Sequence, residues 1–149
     1  EAALDRMTEN EMETMILHEI GEAKATELLG EGWHALLVTV ARTKAETIAR
    51  AVRDLLADCL STLPALIERG NLPALHFYFA TFDAQRRLLF PQAMQAYEYF
   101  LQHGELHRLK QTVHEGQDHW LAVARALLAH HASDPAGCGA AIEALLGEI

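Results

Sequence analysis

The apolar residues of this chain recur at helical spacing, and no stretch of useful length alternates apolar with polar residues. Because a half-buried strand needs that alternation, the pattern predicts helices and no strand. Alanine contributes 25 residues and leucine 23, whereas valine and isoleucine together contribute 11. Alanine and leucine lose little side-chain entropy in a helix, and β-branched residues lose more. The sequence therefore predicts an all-α protein.

Glycine, proline and capping residues divide the chain into segments of helical length. The 149 residues fit one domain, and neither a low-complexity linker nor an internal repeat interrupts them. We expect a single helical domain over residues 1–149, built as a bundle of four main helices with two or three short ones. The expected helices cover about residues 8–29, 33–60, 64–70, 71–89, 91–103, 105–131 and 136–146.

Charge and composition exclude several classes of function. The formal net charge is −9, which disfavours binding to nucleic acid phosphates or to anionic lipid. No apolar run approaches the ~18 residues of a membrane span, so we expect no membrane insertion. Cys59 and Cys138 show neither a disulfide framework nor a metal-type CxxC spacing, and no cationic and apolar leader begins at Glu1. We therefore expect a reducing compartment, the cytoplasm.

The acidic charge is concentrated in the first helix. Residues 1–31 hold nine acids against Arg6 and Lys24, a net −7, and the other 118 residues are close to balance. This distribution predicts a strongly solvated helix face, or alternatively a docking surface for a basic partner. Leu36, Val38 and Val40 lie off the main apolar stripe of the second helix, which predicts self-association as a two-fold dimer.

A carboxylate falls on the apolar side of the first helix. At 100° per residue Met12, Ile16, Ile20 and Ala23 form an apolar arc, and Glu19 lies inside it. His18 and Glu22 lie one step outside the arc. A carboxylate on a core face must find a partner or change its protonation state. Glu19 is therefore predicted to be a metal ligand or general base, or else to form an ion pair with a cation such as Lys44.

Histidines lie on or beside the predicted core faces of three other helices. His34 falls on the inward face of the second helix, and His76 lies at the edge of an aromatic segment that contains every Phe and Tyr of the chain. His114 and His119 flank the apolar stripe of the last long helix. The alternative for each is a core histidine with satisfied hydrogen bonds, which is the commoner role for an isolated His on an apolar face.

These residues together predict a metal site inside the bundle. Imidazole and carboxylate suit iron, manganese and zinc, and the sequence does not select among them. Neither His-Glu-x-x-His nor a pair of Glu-x-x-His segments is present, so no known template decides whether the protein is an enzyme. The predicted ligands are His18, Glu19, Glu22, His34, His76, His114 and His119.

Two other functions remain open at this point. One is a non-enzymatic interaction or regulatory module that uses the acidic first helix. The other is a small-ligand bundle whose pocket is lined by Trp33, Phe77, Phe79, Phe82 and Tyr97.

Overall fold

The computed structural model describes residues 2–147, and Glu1, Glu148 and Ile149 lie outside the described residues. Every regular element in that range is helical, which confirms the all-α prediction. The α-helices are α1 (Ala2–Leu29), α2 (Gly32–Thr39), α3 (Lys44–Ala57), α4 (Leu63–Arg69), α5 (Leu72–Ala80), α6 (Ala84–Leu89), α7 (Pro91–His103), α8 (His107–Ser133) and α9 (Cys138–Glu143). A π-helical turn, Asp58–Thr62, joins α3 to α4, and short 3-10 turns flank α9.

The second predicted helix differs from the structure in its middle and at its C-terminal end. An unbroken helix was expected from Trp33 to about Leu60, but the chain leaves the helix after Thr39 and restarts at Lys44. Arg42 adopts a left-handed φ of 65° in that turn, a conformation that spacing arguments do not anticipate. A break was expected near Ser61, yet the π turn carries the helix into α4. Pro64 lies in the first turn of α4, where a missing N–H is tolerated.

Helix boundaries near α1 and α5 were also only partly predicted. The first helix, expected to begin at about residue 8, begins earlier: Thr8 lies inside α1, and its hydroxyl donates to the Leu4 carbonyl at 3.0 Å. Gly30, with φ 71°, ends α1 as predicted. The helix expected from Asn71 to Leu89 divides into α5 and α6, because the Asp83 carboxylate accepts the Arg86 backbone N–H at 2.9 Å and starts a new helix.

The packed face of α1 is opposite to the predicted one. Leu17, Gly21, Ala25 and Leu29 are its buried residues, whereas Met12, Ile16 and Ile20 are 57%, 53% and 44% exposed. A Cβ added to Gly21 would lie 2.3 Å from the Ala57 carbonyl oxygen, so the two backbones touch at this glycine. Small residues permit this approach but carry little hydropathy, and the wheel therefore favoured the larger side chains on the other side.

The core is built around α3 and the π turn, and α1, α4, α8 and α9 pack against them. Ile48, Leu55 and Cys59 are buried on the inward stripe of α3 and the π turn, as expected. Leu36 and Val40 are buried as well, whereas Val38 is 62% exposed, and the two-fold dimer stays a prediction. No helix within residues 2–147 is long and apolar enough to cross a membrane.

Candidate metal centre

A histidine of α1 is held by a buried aspartate of the π turn. The His18 Nδ1–H donates to Asp58 Oδ1 at 2.7 Å, and Asp58 is 2% exposed. The same oxygen accepts the Thr62 hydroxyl at 2.9 Å, and Oδ2 accepts the Tyr78 hydroxyl at 2.8 Å. Arg86 adds a cation 3.7 Å from Oδ2. A carboxylate buried this deeply is tolerated because its two oxygens accept these three hydrogen bonds and lie near a cation.

Local geometry explains why these two elements meet. Gly21, almost one turn after His18, lets α1 approach the backbone at Ala57, the residue before Asp58. The turn that begins at Asp58 is π-helical, a wide geometry that occurs often at functional sites. Asp54 lies one helical turn before Asp58, so the carboxylates of both residues face α1.

The other ring nitrogen of His18 faces two more carboxylates. Its Nε2 lies 3.1 Å from Glu22 Oε1 and 3.7 Å from Asp54 Oδ1. One ligand atom from each of the three residues lies within 4.8 Å of the others, and this is the one His, Cys, Asp or Glu group of three or more found across residues 2–147. Arg53 lies 3.5 Å from Glu22 and 4.0 Å from Asp54.

The carboxylates change the acid–base properties of the cluster. The hydrogen bond to Asp58, with its negative charge and those of Asp54 and Glu22, raises the pKa of His18 to about 9 although burial acts in the opposite direction. Burial raises the pKa of Asp54. Without a metal, His18 therefore carries a positive charge at neutral pH and donates from both nitrogens.

A cavity of about 580 Å³ opens over the cluster. Its walls come from α1, α3 and α6, and Arg50, Arg86 and Thr81 line it together with the site residues. The volume lies within the usual range of small-molecule sites. The cluster is therefore reachable from solvent while its supporting aspartate is buried.

Two of the predicted ligands meet here, and Glu19 does not face the core. His18 and Glu22 are brought together with Asp54, which the sequence analysis did not single out. Glu19 is exposed and lies on the rim of the cavity, because α1 packs through its opposite face. Lys44 is exposed at the start of α3, so the proposed buried Glu19–Lys44 pair is wrong.

The other four predicted ligands are exposed and lie apart from the cluster. His34 borders a separate cavity of about 850 Å³ beside Trp33. The His76 Nδ1 lies 2.7 Å from the Tyr97 hydroxyl, and the His119 ring meets that of Trp120 edge-on. His114 borders a cavity of about 550 Å³ between α4 and α8. The structure therefore does not bring His34, His76, His114 or His119 to one site.

The aromatic residues of the alternative ligand pocket belong mostly to the core. Phe79 and Phe82 are buried against each other, and Tyr97 stacks on Phe79 with ring centroids 4.3 Å apart. Trp33 is buried near His34, and Phe77 is partly exposed. Phe79, Phe82 and Tyr97 therefore fill space between helices, and the small-ligand function stays a prediction.

The residues that sequence reasoning missed carried one usable signal. Asp54 and Asp58 are spaced i, i+4 in the second predicted helix with only apolar residues between them, and acids at that spacing share a face. Arg53 and Tyr78 carried none, because their roles depend on which helix packs beside them.

Comparison with known proteins gives a family without an assigned activity. The model of "Family of unknown function (DUF6866) C-terminal domain" matches residues 1–149. Neither a curated protein nor a solved structure matches the chain.

Proposed function

The chain belongs to the DUF6866 C-terminal domain family, and we propose that it binds a divalent transition metal through His18, Glu22 and Asp54. The observation that carries this proposal is the orientation of one imidazole. Its Nδ1 is tied to a buried carboxylate, and its Nε2 points at two other carboxylates.

The hydrogen bond to Asp58 supports the proposal because metal-bound histidines have the same arrangement. Such a histidine usually donates its second ring N–H to a carboxylate, which fixes the tautomer and the ring orientation and increases the basicity of the ligand nitrogen. A carboxylate can only accept, so His18 keeps its Nδ1 proton against the buried Asp58 when the Nε2 proton leaves. Nε2 is then the atom that exchanges its proton for a metal ion.

The charge of the cluster is compatible with that exchange. Asp58, Asp54 and Glu22 surround His18, and in the metal-free state the imidazolium proton offsets part of their negative charge. A divalent ion on Nε2 would replace that proton and offset the carboxylate charge by one further unit. The Arg53 guanidinium lies near both outer carboxylates, so it would compete with the ion for them.

The donor set favours borderline metals. One imidazole and two carboxylates suit zinc, manganese and iron better than soft copper(I). Three protein ligands leave coordination positions for water or a ligand in the 580 Å³ cavity. A bound metal would there act as a Lewis acid on water or on a ligand oxygen.

The test uses the chain without a histidine tag. We expect isothermal titration with Zn²⁺ and Mn²⁺ to give one site, and Co²⁺ to show the absorption bands of a bound ion. Glu22→Gln and Asp54→Asn should each weaken binding at least about tenfold, and Asp58→Asn should weaken it by roughly 10–100-fold through the ring orientation. Glu22 is part-exposed, so its variant should keep the fold.

Glu19→Gln and His114→Ala are the matched controls. Glu19→Gln removes the same charge from the same helix, and His114→Ala removes an exposed imidazole from α8. Both should retain full affinity. Failure of the native chain to bind any of the three ions, or unchanged affinity in Glu22→Gln and Asp54→Asn, would overturn the proposal.

We also infer a cytoplasmic location, which is separate from the metal site. Cys59 and Cys138 are unpaired and buried, as expected of thiols kept in a reducing compartment. Fractionation of cells that express the full protein, with detection of this domain, tests the inference; recovery from an oxidising compartment would contradict it.

A further inference from the structure

Helix α1 has a second apolar face that nothing in residues 2–147 covers. Met12, Ile16 and Ile20 follow one another at i, i+4 spacing and are about half exposed. Together with Ala23 they span an arc of about 80° on a helical wheel. We call these four residues the outer stripe. Large apolar side chains in such an unbroken row are unusual on a free surface.

The outer stripe is distinct from the face that packs on the core. Leu17, Gly21, Ala25 and Leu29 are the buried residues of α1 and lie on the other side of the wheel. A helix that is apolar on two sides is typical of an element buried between two partners. The core provides one of those partners, and the second side has none within the part of the chain that the structure describes.

The first four turns of α1 strengthen this observation. From Ala2 to Ile16 no residue is buried, although Leu4 and Met7 are large and apolar. Asn10 and Glu13 hydrogen-bond to Asn71 and Arg69, but these contacts are polar. Because a helix of about 15 residues is marginal in water without apolar packing, a partner that covered the apolar residues of this arm would stabilise it. A shallow groove of about 440 Å³ runs along it, with Met12, Ile16 and Arg69 in its lining.

The charges around the outer stripe are acidic. Glu9, Glu19 and Glu27 are exposed and lie within or beside its arc. Arg69 is already engaged by the Glu13 carboxylate, so it does not neutralise the stripe. Residues 1–31 carry a net −7, as nine acids stand against two bases.

We propose that the outer stripe docks a cationic amphipathic helix of another protein. The apolar side of such a helix would cover Met12, Ile16 and Ile20, and its lysines or arginines would meet the flanking glutamates. This is the helix-in-groove mode of recognition, with anchors at i, i+4 and i+8. The acidic flanks would speed association and favour basic partners, and salt would screen this electrostatic attraction.

The same charges argue against two other occupants. In a two-fold pair of α1 helices, the glutamates of one copy would face those of the other, and like charges across an interface are costly. An anionic membrane surface would repel the stripe for the same reason. The occupant is therefore a basic polypeptide and not a second copy of this chain or a lipid.

The test uses a labelled synthetic peptide of about 18 residues, built of leucine and lysine at helical spacing. Fluorescence anisotropy should show binding to the native chain that weakens as salt rises. Ile16→Ser should weaken it at least about tenfold, since it removes the central anchor. Leu101→Ser removes a side chain that is 55% exposed on α7 and should change the affinity less than about twofold. A leucine–glutamate peptide should not bind.

Three results would overturn the proposal. The first is equal binding of the leucine–lysine peptide to Ile16→Ser. The second is a native dimer in sedimentation that Ile16→Ser dissociates, which would make a second copy the occupant. The third is co-flotation with phosphatidylglycerol vesicles that Ile16→Ser abolishes, which would make it a membrane. Ile16→Ser should keep native Zn²⁺ affinity, so this test fails or succeeds independently of the metal site.

Discussion

The His18–Glu22 segment of α1 and the His114–His119 segment of α8 carry the same residue types at similar spacing, and both pack on one short part of the chain. Gly21 of the first segment approaches the backbone of Ala57, and Gly116 of the second approaches the Sγ of Cys59. The π turn that begins at Asp58 therefore lies between two histidine-bearing helices. Toward α1 it presents a carboxylate, and toward α8 it presents the Cys59 carbonyl, which accepts the Gln117 side-chain amide at 2.8 Å.

This difference shows that a histidine and carboxylate segment does not make a site alone. His18 acquires Asp54 and Asp58 from the facing helix, and the three carboxylates with the imidazole form a cluster. His114 borders the same cavity as Glu68 of α4, but within residues 2–147 the two side chains form no ion pair, so His114 remains exposed. The deciding factor is which side of the π turn a helix faces.

The largest effect is expected from the buried acid that distinguishes the two sides. Asp58→Ala should lower the free energy of unfolding by about 3 kcal/mol, because it leaves the buried Tyr78 hydroxyl and the His18 ring without their acceptor. Asp118→Ala, on the exposed surface of α8, should change it by less than about 0.5 kcal/mol. Chemical denaturation measures both, and equal losses would erase the distinction between the two sides.

The two glycines should differ in whether their substitution can be rescued. Gly21→Ala should cost about 2 kcal/mol, since the added Cβ meets a backbone oxygen that cannot move aside. In Gly116→Ala the Cβ meets the Cys59 side chain at 2.7 Å, so adding Cys59→Ala should recover part of the loss. Thermal denaturation of the single and double variants checks this. The prediction fails if Cys59→Ala restores Gly21→Ala to the same extent.

A smaller effect is expected from pH, again on the α1 side. The pKa of His18 is about 9 in the folded chain, above its ordinary value near ~6.5, so protonation favours the folded state. This contribution is complete below about pH 6.5 and is lost as pH rises through 9. We expect a loss of about 1–2 kcal/mol, below the value for a fully buried group because part of the ring is exposed.

Urea denaturation in EDTA at several pH values measures that loss. In His18→Gln the decline between pH 6.5 and 9.5 should be reduced, whereas His114→Gln should follow the native curve. If the free energy of unfolding of the native chain does not change over this range, Asp58 does not stabilise the protonated His18 ring.

The sequence predicted the helical class and two residues of the cluster, His18 and Glu22, but neither Asp54 nor Asp58. His18 and Glu22 share one face of α1 because residues four apart always do, and that relation survived an incorrect choice of core face. Glu19 was misplaced since the wheel weighs large apolar side chains, and α1 packs instead through Gly21 and Ala25. Asp58 was not identified because its importance depends on a π turn, which differs from an α-turn by one residue.

The sequence by itself determined what depends on neighbours along the chain. Alanine and leucine content set the helical class, Gly30 ended α1, and i, i+4 spacing paired His18 with Glu22. The tertiary structure decided which faces meet, because close packing at a glycine brings backbones together with almost no hydrophobic signal in the sequence. Only that contact placed Asp54 and Asp58 against His18 and left Met12, Ile16 and Ile20 facing outward.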